Sequence, residues 1–220
     1  MKSILILMIS LIALPYAGSA QVIEGIDQIT PFHEDLAAVK KGEKWAFINT
    51  KGEIVIDYRD DLVWSSYYDS KSKKKKIKKE PVEYPVFNEG KCLIKKMTDG
   101  ITYYGYIDKT GKTVIQPEYL NAIPFNQGHA IVLKVSKEEL GKNELLDKKV
   151  VSYSYDEIVI NSSGDRILHL KGPEHIILTK DKMKWPPAIE SYLISPNLAV
   201  AKTKDDNWKL FPLITSNQKL

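Results

Sequence analysis

Four histidines, one cysteine and two Asp-Asp pairs are the residues of this 220-residue chain best equipped for metal, nucleophilic or acid–base chemistry. The histidines are His33, His129, His169 and His175. His33-Glu34 lacks the second histidine that a helical His-Glu-x-x-His metal site requires. His169 and His175, with Glu174 beside the second, form the one pair that could begin a metal site. Their spacing is not that of one helical face, and the sequence fixes no third ligand. Cys92 is the only cysteine, so neither an intramolecular disulfide nor a Cys-x-x-Cys motif is possible. With Leu93 and Ile94 beside it, it reads as a small, inert core residue on a strand. Asp60-Asp61 and Asp205-Asp206 are adjacent pairs, which on a strand point to opposite faces and do not suit a two-carboxylate mechanism. The Gly-x-Ser-x-Gly, phosphate-loop and EF-hand patterns are absent. No catalytic, cofactor-binding or metal residue is assigned, and a non-enzymatic protein with no cofactor is expected.

Contact chemistry is better represented. Residues 71–80 hold seven lysines and one glutamate, a contribution of +6 in a chain whose formal net charge is +4. The body is therefore mildly acidic and carries one basic segment. Charge at this density repels itself and opposes packing, so a solvated loop is expected. Lys73, Lys74, Lys75, Lys76, Lys78 and Lys79, with the aromatic Trp64, Tyr67 and Tyr68 just before them, form the candidate contact surface. A basic, aromatic-flanked loop suits an anionic envelope surface, a glycan or an envelope protein. Nucleic acid is not expected, because no base-reading or stacking motif accompanies the lysines.

The N-terminus carries an export signal. Lys2 is followed by a stretch from Ile4 to Leu14 that is apolar except for Ser10, then Pro15 and the small residues Ala17, Gly18, Ser19 and Ala20. This is the order of a secretory signal peptide, with cleavage expected after Ala20. The apolar stretch is well short of the roughly 20 residues that span a bilayer. A mature chain from Gln21, periplasmic or secreted, with no membrane-spanning segment is expected. The overall composition, 43% hydrophobic and 27% charged, also excludes a disordered polymer, a coiled coil and a polytopic membrane protein.

The elements that position these residues repeat along the chain. Asn49-Thr50-Lys51-Gly52, Asp108-Lys109-Thr110-Gly111 and Asn161-Ser162-Ser163-Gly164 are polar turns set between apolar stretches. Asx side chains bond nearby backbone, and glycine accepts positive φ, so each predicts a hairpin. Asn161-Ser162-Ser163 also matches a glycosylation sequon, but the turn is its simpler role. A second element, beginning at Phe32, Phe87 and Phe125, precedes each hairpin, and Leu198–Ala201 with Trp208 reads as a degraded fourth copy. Aromatic and β-branched residues alternate at Trp45 and Phe47 and at Tyr104 and Tyr106, which predicts half-buried strands. The expected fold is all-β: stacked β-meander or hairpin repeats, about three units plus a degraded fourth, after the signal peptide. Residues 21–220 would form one domain, with units over 30–62, 85–120 and 123–170, a degraded unit over 190–214 and a basic insertion at 70–80. One weak helix is expected over Ser136 to Leu146.

Residues 30–170 resemble the bacterial Trp-Gly (WG) β-repeat proteins. That family's unit runs Phe-x-Glu-Gly-x-Ala-x-Val, a loop, then Trp-Gly-Tyr-Ile-Asp-x-x-Gly-x-x-Val-Ile-x-Pro-x-Tyr. The second unit is similar at Phe87, Glu89, Gly90, Tyr104, Gly105, Tyr106, Ile107, Asp108, Gly111, Val114, Ile115, Pro117 and Tyr119. The first keeps Trp45, Phe47, Ile48, Asn49 and Gly52, with Ala46 in place of the glycine. The third keeps Asn161 and Gly164 and lacks the Trp-Gly pair. The resemblance implies an all-β repeat scaffold for binding or interaction, and it implies no catalytic residues. The expected function is a non-enzymatic exported scaffold at the cell envelope. The alternatives are an exported enzyme with a dispersed site and a purely structural surface array.

Overall fold

A computed structural model describes residues 23–63, 84–143, 147–179, 186–203 and 205–213. The expected leader, the lysine segment and the proposed contact residues Trp64, Tyr67, Tyr68, Lys73, Lys74, Lys75, Lys76, Lys78 and Lys79 lie outside these residues.

The described chain is all-β. Its strands are β1 (Gln28–Ile29), β2 (Leu36–Lys41), β3 (Lys44–Asn49), β4 (Ile54–Arg59), β5 (Lys91–Thr98), β6 (Ile101–Asp108) and β7 (Thr113–Ala122). They continue as β8 (His129–Asn143), β9 (Lys148–Asn161), β10 (Arg166–Ile176), β11 (Tyr192–Ser195), β12 (Leu198–Lys202) and β13 (Trp208–Pro212). Every neighbour pair is antiparallel and consecutive, in sheets β1–β4, β5–β10 and β11–β13. No helix among the described residues is long and apolar enough to cross a membrane.

The Asx–Gly turns form as their chemistry dictates. Asn49 Oδ1 accepts from the backbone N–H of Lys51 and Glu53, Asp108 Oδ1 from Thr110 and Lys112, and Asn161 Oδ1 from Ser163 and Asp165. Each turn closes with the glycine N–H donating to the Asx carbonyl, and each glycine has φ between 79° and 89°. Thr203 to Asn207 repeats the same backbone pattern, with Asp206 at φ 63° in the glycine's place. The Phe-x-Glu-Gly element is a second tight turn. Glu34-Asp35, Glu89-Gly90 and Gln127-Gly128 all have positive φ, the geometry that suits the twist of a two-residue hairpin.

Register relates the units residue by residue. Ala38 pairs with Phe47, Leu93 with Tyr106, Ile131 with Val159 and Val200 with Leu210. Two residues further along the first strand of each pair, Lys40 pairs with Trp45, Lys95 with Tyr104, Leu133 with Glu157 and Lys202 with Trp208. The divergent third unit therefore places Glu157 where the first two hold an aromatic ring.

Neighbouring units are joined by a repeated contact. Phe87, buried to 1% exposure, packs edge-on against Phe47 with ring centroids 4.8 Å apart. Phe125 meets Tyr106 in the same way at 4.9 Å. Glu34 accepts from the N–H groups of Glu89 and Gly90 in the next turn, and Glu89 accepts from Gly128 in the one after. Lys109 adds an ion pair to Glu34 at 3.4 Å. Burial pushes the Glu34 carboxyl up, but the two backbone donors and Lys109 together leave it below its ordinary value of 4.5. A carboxylate held below its unfolded value contributes stability above that value and loses it as pH falls through the folded one. Glu34→Gln is expected to cost about 1 kcal/mol at pH 7, the low end for charged hydrogen bonds because the site is partly open to solvent. Urea unfolding of both proteins at pH 7 and pH 3 checks this, with the difference shrinking at the lower pH.

The helix expected over Ser136 to Leu146 does not form. Its residues up to Asn143 belong to β8, which runs in register with β9 from His129↔Asn161 to Asn143↔Lys148. Lysine, glutamate and leucine are good helix formers, but intrinsic propensity is a small energy per residue and the cross-strand ladder overrides it. Lys137 over the Tyr153 ring at 5.9 Å and the Lys149–Glu139 ion pair at 3.0 Å reinforce it. Gly141 takes its place at a bulge between Glu139 and Gly141. Residues 144–146 lie outside the described set.

Candidate functional site

The described residues are brought together into a site by the junction of the third sheet with β10. There β12, β13 and β10 enclose a crevice of about 380 Å³, within the size range of small-ligand sites. His169, Leu170 and Lys171 line it from β10, and Ala201, Lys202 and Thr203 line it from the end of β12. Lys209 and Phe211 complete the wall from β13. Alternation along β13 explains the placement. Phe211 pairs with Ala199 and Lys209 with Ala201, and the two buried alanines leave room at the floor.

Three lysines converge on this crevice. Lys171 reaches Glu190 at 3.6 Å, and Lys202 reaches Asp206 at 2.5 Å. Among the described residues Lys209 has no carboxylate partner and lies over the Phe211 ring at 5.0 Å. His169 Nε2 donates to Asp156 Oδ1 at 2.9 Å, which orients the imidazole on the wall. Lys202 also lies over the Trp208 indole at 5.6 Å, and Trp208 meets Tyr192 edge-on at 5.5 Å. Cations with ring faces beside them suit an anionic group attached to an apolar or saccharide body.

The crevice depends on the third unit's departure from the repeat. Glu157 is 3% exposed, and its carboxylate accepts the Ser191 N–H at 2.9 Å. That bond ties the chain entering β11 onto the six-stranded sheet. Burial holds Glu157 above the ordinary carboxylate value, against the opposing pull of the Ser191 hydrogen bonds. The junction also ends the regular stacking: Gln127 replaces the turn glutamate, and its buried Oε1 has no partner among the described residues.

The residues weighed for chemistry take separate roles. His169 and His175 do not converge: His169 binds Asp156, and His175 Nδ1 lies 3.3 Å from Ser152 Oγ. Among the described residues no group of three or more His, Cys, Asp and Glu could hold a metal ion. Cys92 is 1% exposed in the cluster around Phe47 and Phe87, and burial pushes its thiol pKa far up. Asp61 is bound by Arg59, and His33 Nδ1 donates to the Phe87 carbonyl at 2.7 Å. Sequence reasoning named His169 but not Lys171, Lys202 or Lys209. The available signal was Lys202 six residues before Trp208, in register with Lys40 before Trp45, but it required the strand pairing to be known.

Antiparallel three-stranded meanders, joined by the same two turns and stacked ring on ring, define an all-β repeat scaffold. A family model described as WG containing repeat matches residues 22–45, 45–59 and 104–137. The matched segments carry the WG repeat and support a likeness to the WG-repeat proteins. No curated protein and no solved structure matches it.

Proposed function

We propose that this chain is a non-enzymatic, exported binding scaffold of the cell envelope, and that the crevice beside β10 takes an acidic glycan or another anionic envelope surface. The observation that supports this most is the convergence of Lys171, Lys202 and Lys209 with Phe211 on one crevice. The lysine-rich segment at residues 71–80 adds a second cationic element of the same preference. Export is supported by the order of charge, apolar stretch and small residues before Gln21.

The test uses protein recovered from the exported fraction, whose N-terminus is expected at Gln21. It is titrated with a uronic-acid oligosaccharide and with acidic phospholipid vesicles. Lys209→Ala is expected to weaken binding by roughly fivefold or more, as for loss of one charge-assisted contact. Deleting Ser70 to Lys79 is expected to weaken it further while leaving the melting temperature nearly unchanged, since loop closure depends only weakly on length. Binding is expected to fall steeply with salt. Salt-insensitive binding, or binding untouched by both variants, would overturn the reading.

One observation favours an enzyme as the second reading. The His169–Asp156 pair on the crevice wall is the arrangement that orients a catalytic imidazole. Hydrolysis of an ester or glycoside by the purified protein, lost in His169→Ala with the fold intact, would support it over the scaffold.

A further inference from the structure

We propose that copies of this chain associate head to tail, the first unit of one copy seating on the last unit of another as neighbouring units seat within the chain. The proposal does not rest on the anionic-ligand reading: Phe32, Trp208 and Leu210 do not line the crevice, and the two readings share only Lys202 and the rings beside it.

The interior contact has two halves. One is the turn phenylalanine of a unit, Phe87 or Phe125, buried to 1% and 3% exposure. The other is the second-strand ring that receives it, Phe47 or Tyr106, at 1% and 0%. Each half recurs at one end of the array, uncovered. Phe32 holds the position of Phe87 and Phe125 in the first unit and is 50% exposed. Leu210 holds the position of Phe47 and Tyr106 in the last unit, by the shared register of Val200↔Leu210 with Ala38↔Phe47 and Leu93↔Tyr106. It is 61% exposed.

The receiving face is otherwise built like the interior one. Lys202 covers Trp208 at 5.6 Å as Lys40 covers Trp45 at 5.8 Å. Yet Trp208 is 52% exposed where Trp45 is 4%. Beside it stands Tyr192 at 49%. An apolar sheet face of this kind marks a docking surface. The occupant is a second copy, because the same chain carries at its other end the half-contact that this face receives inside the array. Such a contact is heterologous, with different surfaces meeting, so it extends into a chain of copies unless its rotation closes a ring.

Sedimentation velocity of the purified protein from about 1 μM to about 1 mM, a span covering weak specific association, tests the proposal. The mean mass is expected to rise with concentration. Phe32→Glu and Leu210→Glu both alter exposed side chains, and circular dichroism checks that each variant keeps its β spectrum. Each alone is expected to stay monomeric. An equimolar mixture is expected to form a dimer and nothing larger, since each variant retains one intact end. A monomeric wild-type protein over the whole range, association undisturbed by either substitution, or a monomeric mixture would overturn it.

Discussion

Gly105→Ala is expected to destabilise the protein by about 3 kcal/mol, at the upper end of overpacking costs, and to lower its melting temperature by roughly 6–12 °C. The cause is a close backbone approach and not a special φ. Tyr104 pairs with Tyr119 and Tyr106 with Ile115, so Gln116, Pro117 and Glu118 of β7 bulge opposite the single residue Gly105. A Cβ there would lie 2.5 Å from the Ile115 carbonyl oxygen and 2.6 Å from the Pro117 nitrogen. Both are backbone atoms, so no rotamer change relieves the clash. The first unit provides the control. Trp45 pairs with Arg59 and Phe47 with Ile56, so only Asp57 and Tyr58 bulge opposite Ala46, which is fully buried. The glycine of the Trp-Gly pair is thus coupled to the three-residue bulge that carries the proline. Ala46→Gly is expected to cost only about 1 kcal/mol, from lost strand propensity and contact. Thermal melts and urea unfolding of both variants check the pair, and a Gly105→Ala protein as stable as wild type would refute the coupling.

Phe87→Ala is expected to cost about 3–5 kcal/mol, the range for a buried phenylalanine whose cavity cannot collapse. Phe87 is the joint between the first sheet and the second. Its ring packs on Phe47 at 4.8 Å, inside a cluster with Trp45, Ile56, Cys92 and Ile107. Its carbonyl accepts from His33, on the unit before. Removing the ring therefore weakens the contact between units more than either unit's internal ladder. Phe32→Ala, the same substitution at the uncovered end, is expected to change stability by less than about 0.5 kcal/mol in dilute solution. Phe47→Ala and Phe87→Ala should be non-additive, because each removes the other's partner. Chemical denaturation of the two single variants and the double variant measures that coupling. Equal costs at positions 32 and 87 would show that the ring-on-ring contact does not hold the array together.

Both experiments follow from how the repeat is built, and much of that repeat was legible in the chain. The three Asx–Gly turns were readable because their chemistry is local: one side-chain oxygen and one positive φ close each turn. The role of the Phe-x-Glu-Gly element was only half legible. Its recurrence was visible, but its turn glutamate bonds forward to a turn 55 residues away, and no local pattern encodes that. The helix expected at Ser136 to Leu146 failed for the complementary reason. Residue preference there was helical, and pairing with β9 decided otherwise.

The candidate site divides along the same line. The lysine-rich segment was conspicuous because charge density is a property of composition. The crevice was not, because Lys171, Lys202 and Lys209 meet only after β10 packs against the third sheet, where Leu170, Ala199 and Ala201 share one apolar cluster and Glu157 accepts the Ser191 N–H.

By itself the sequence determined the β class, the repeat and the turns, since side-chain alternation and Asx–Gly chemistry act between residues close in the chain. Tertiary structure alone decided that units two and three merge into one six-stranded sheet and that the fourth forms a separate three-stranded sheet packed against β10. It also decided which rings are covered and which are left bare at the ends. Those outcomes depend on which apolar faces can bury one another across tens of residues, a balance of packing and desolvation that no short segment carries.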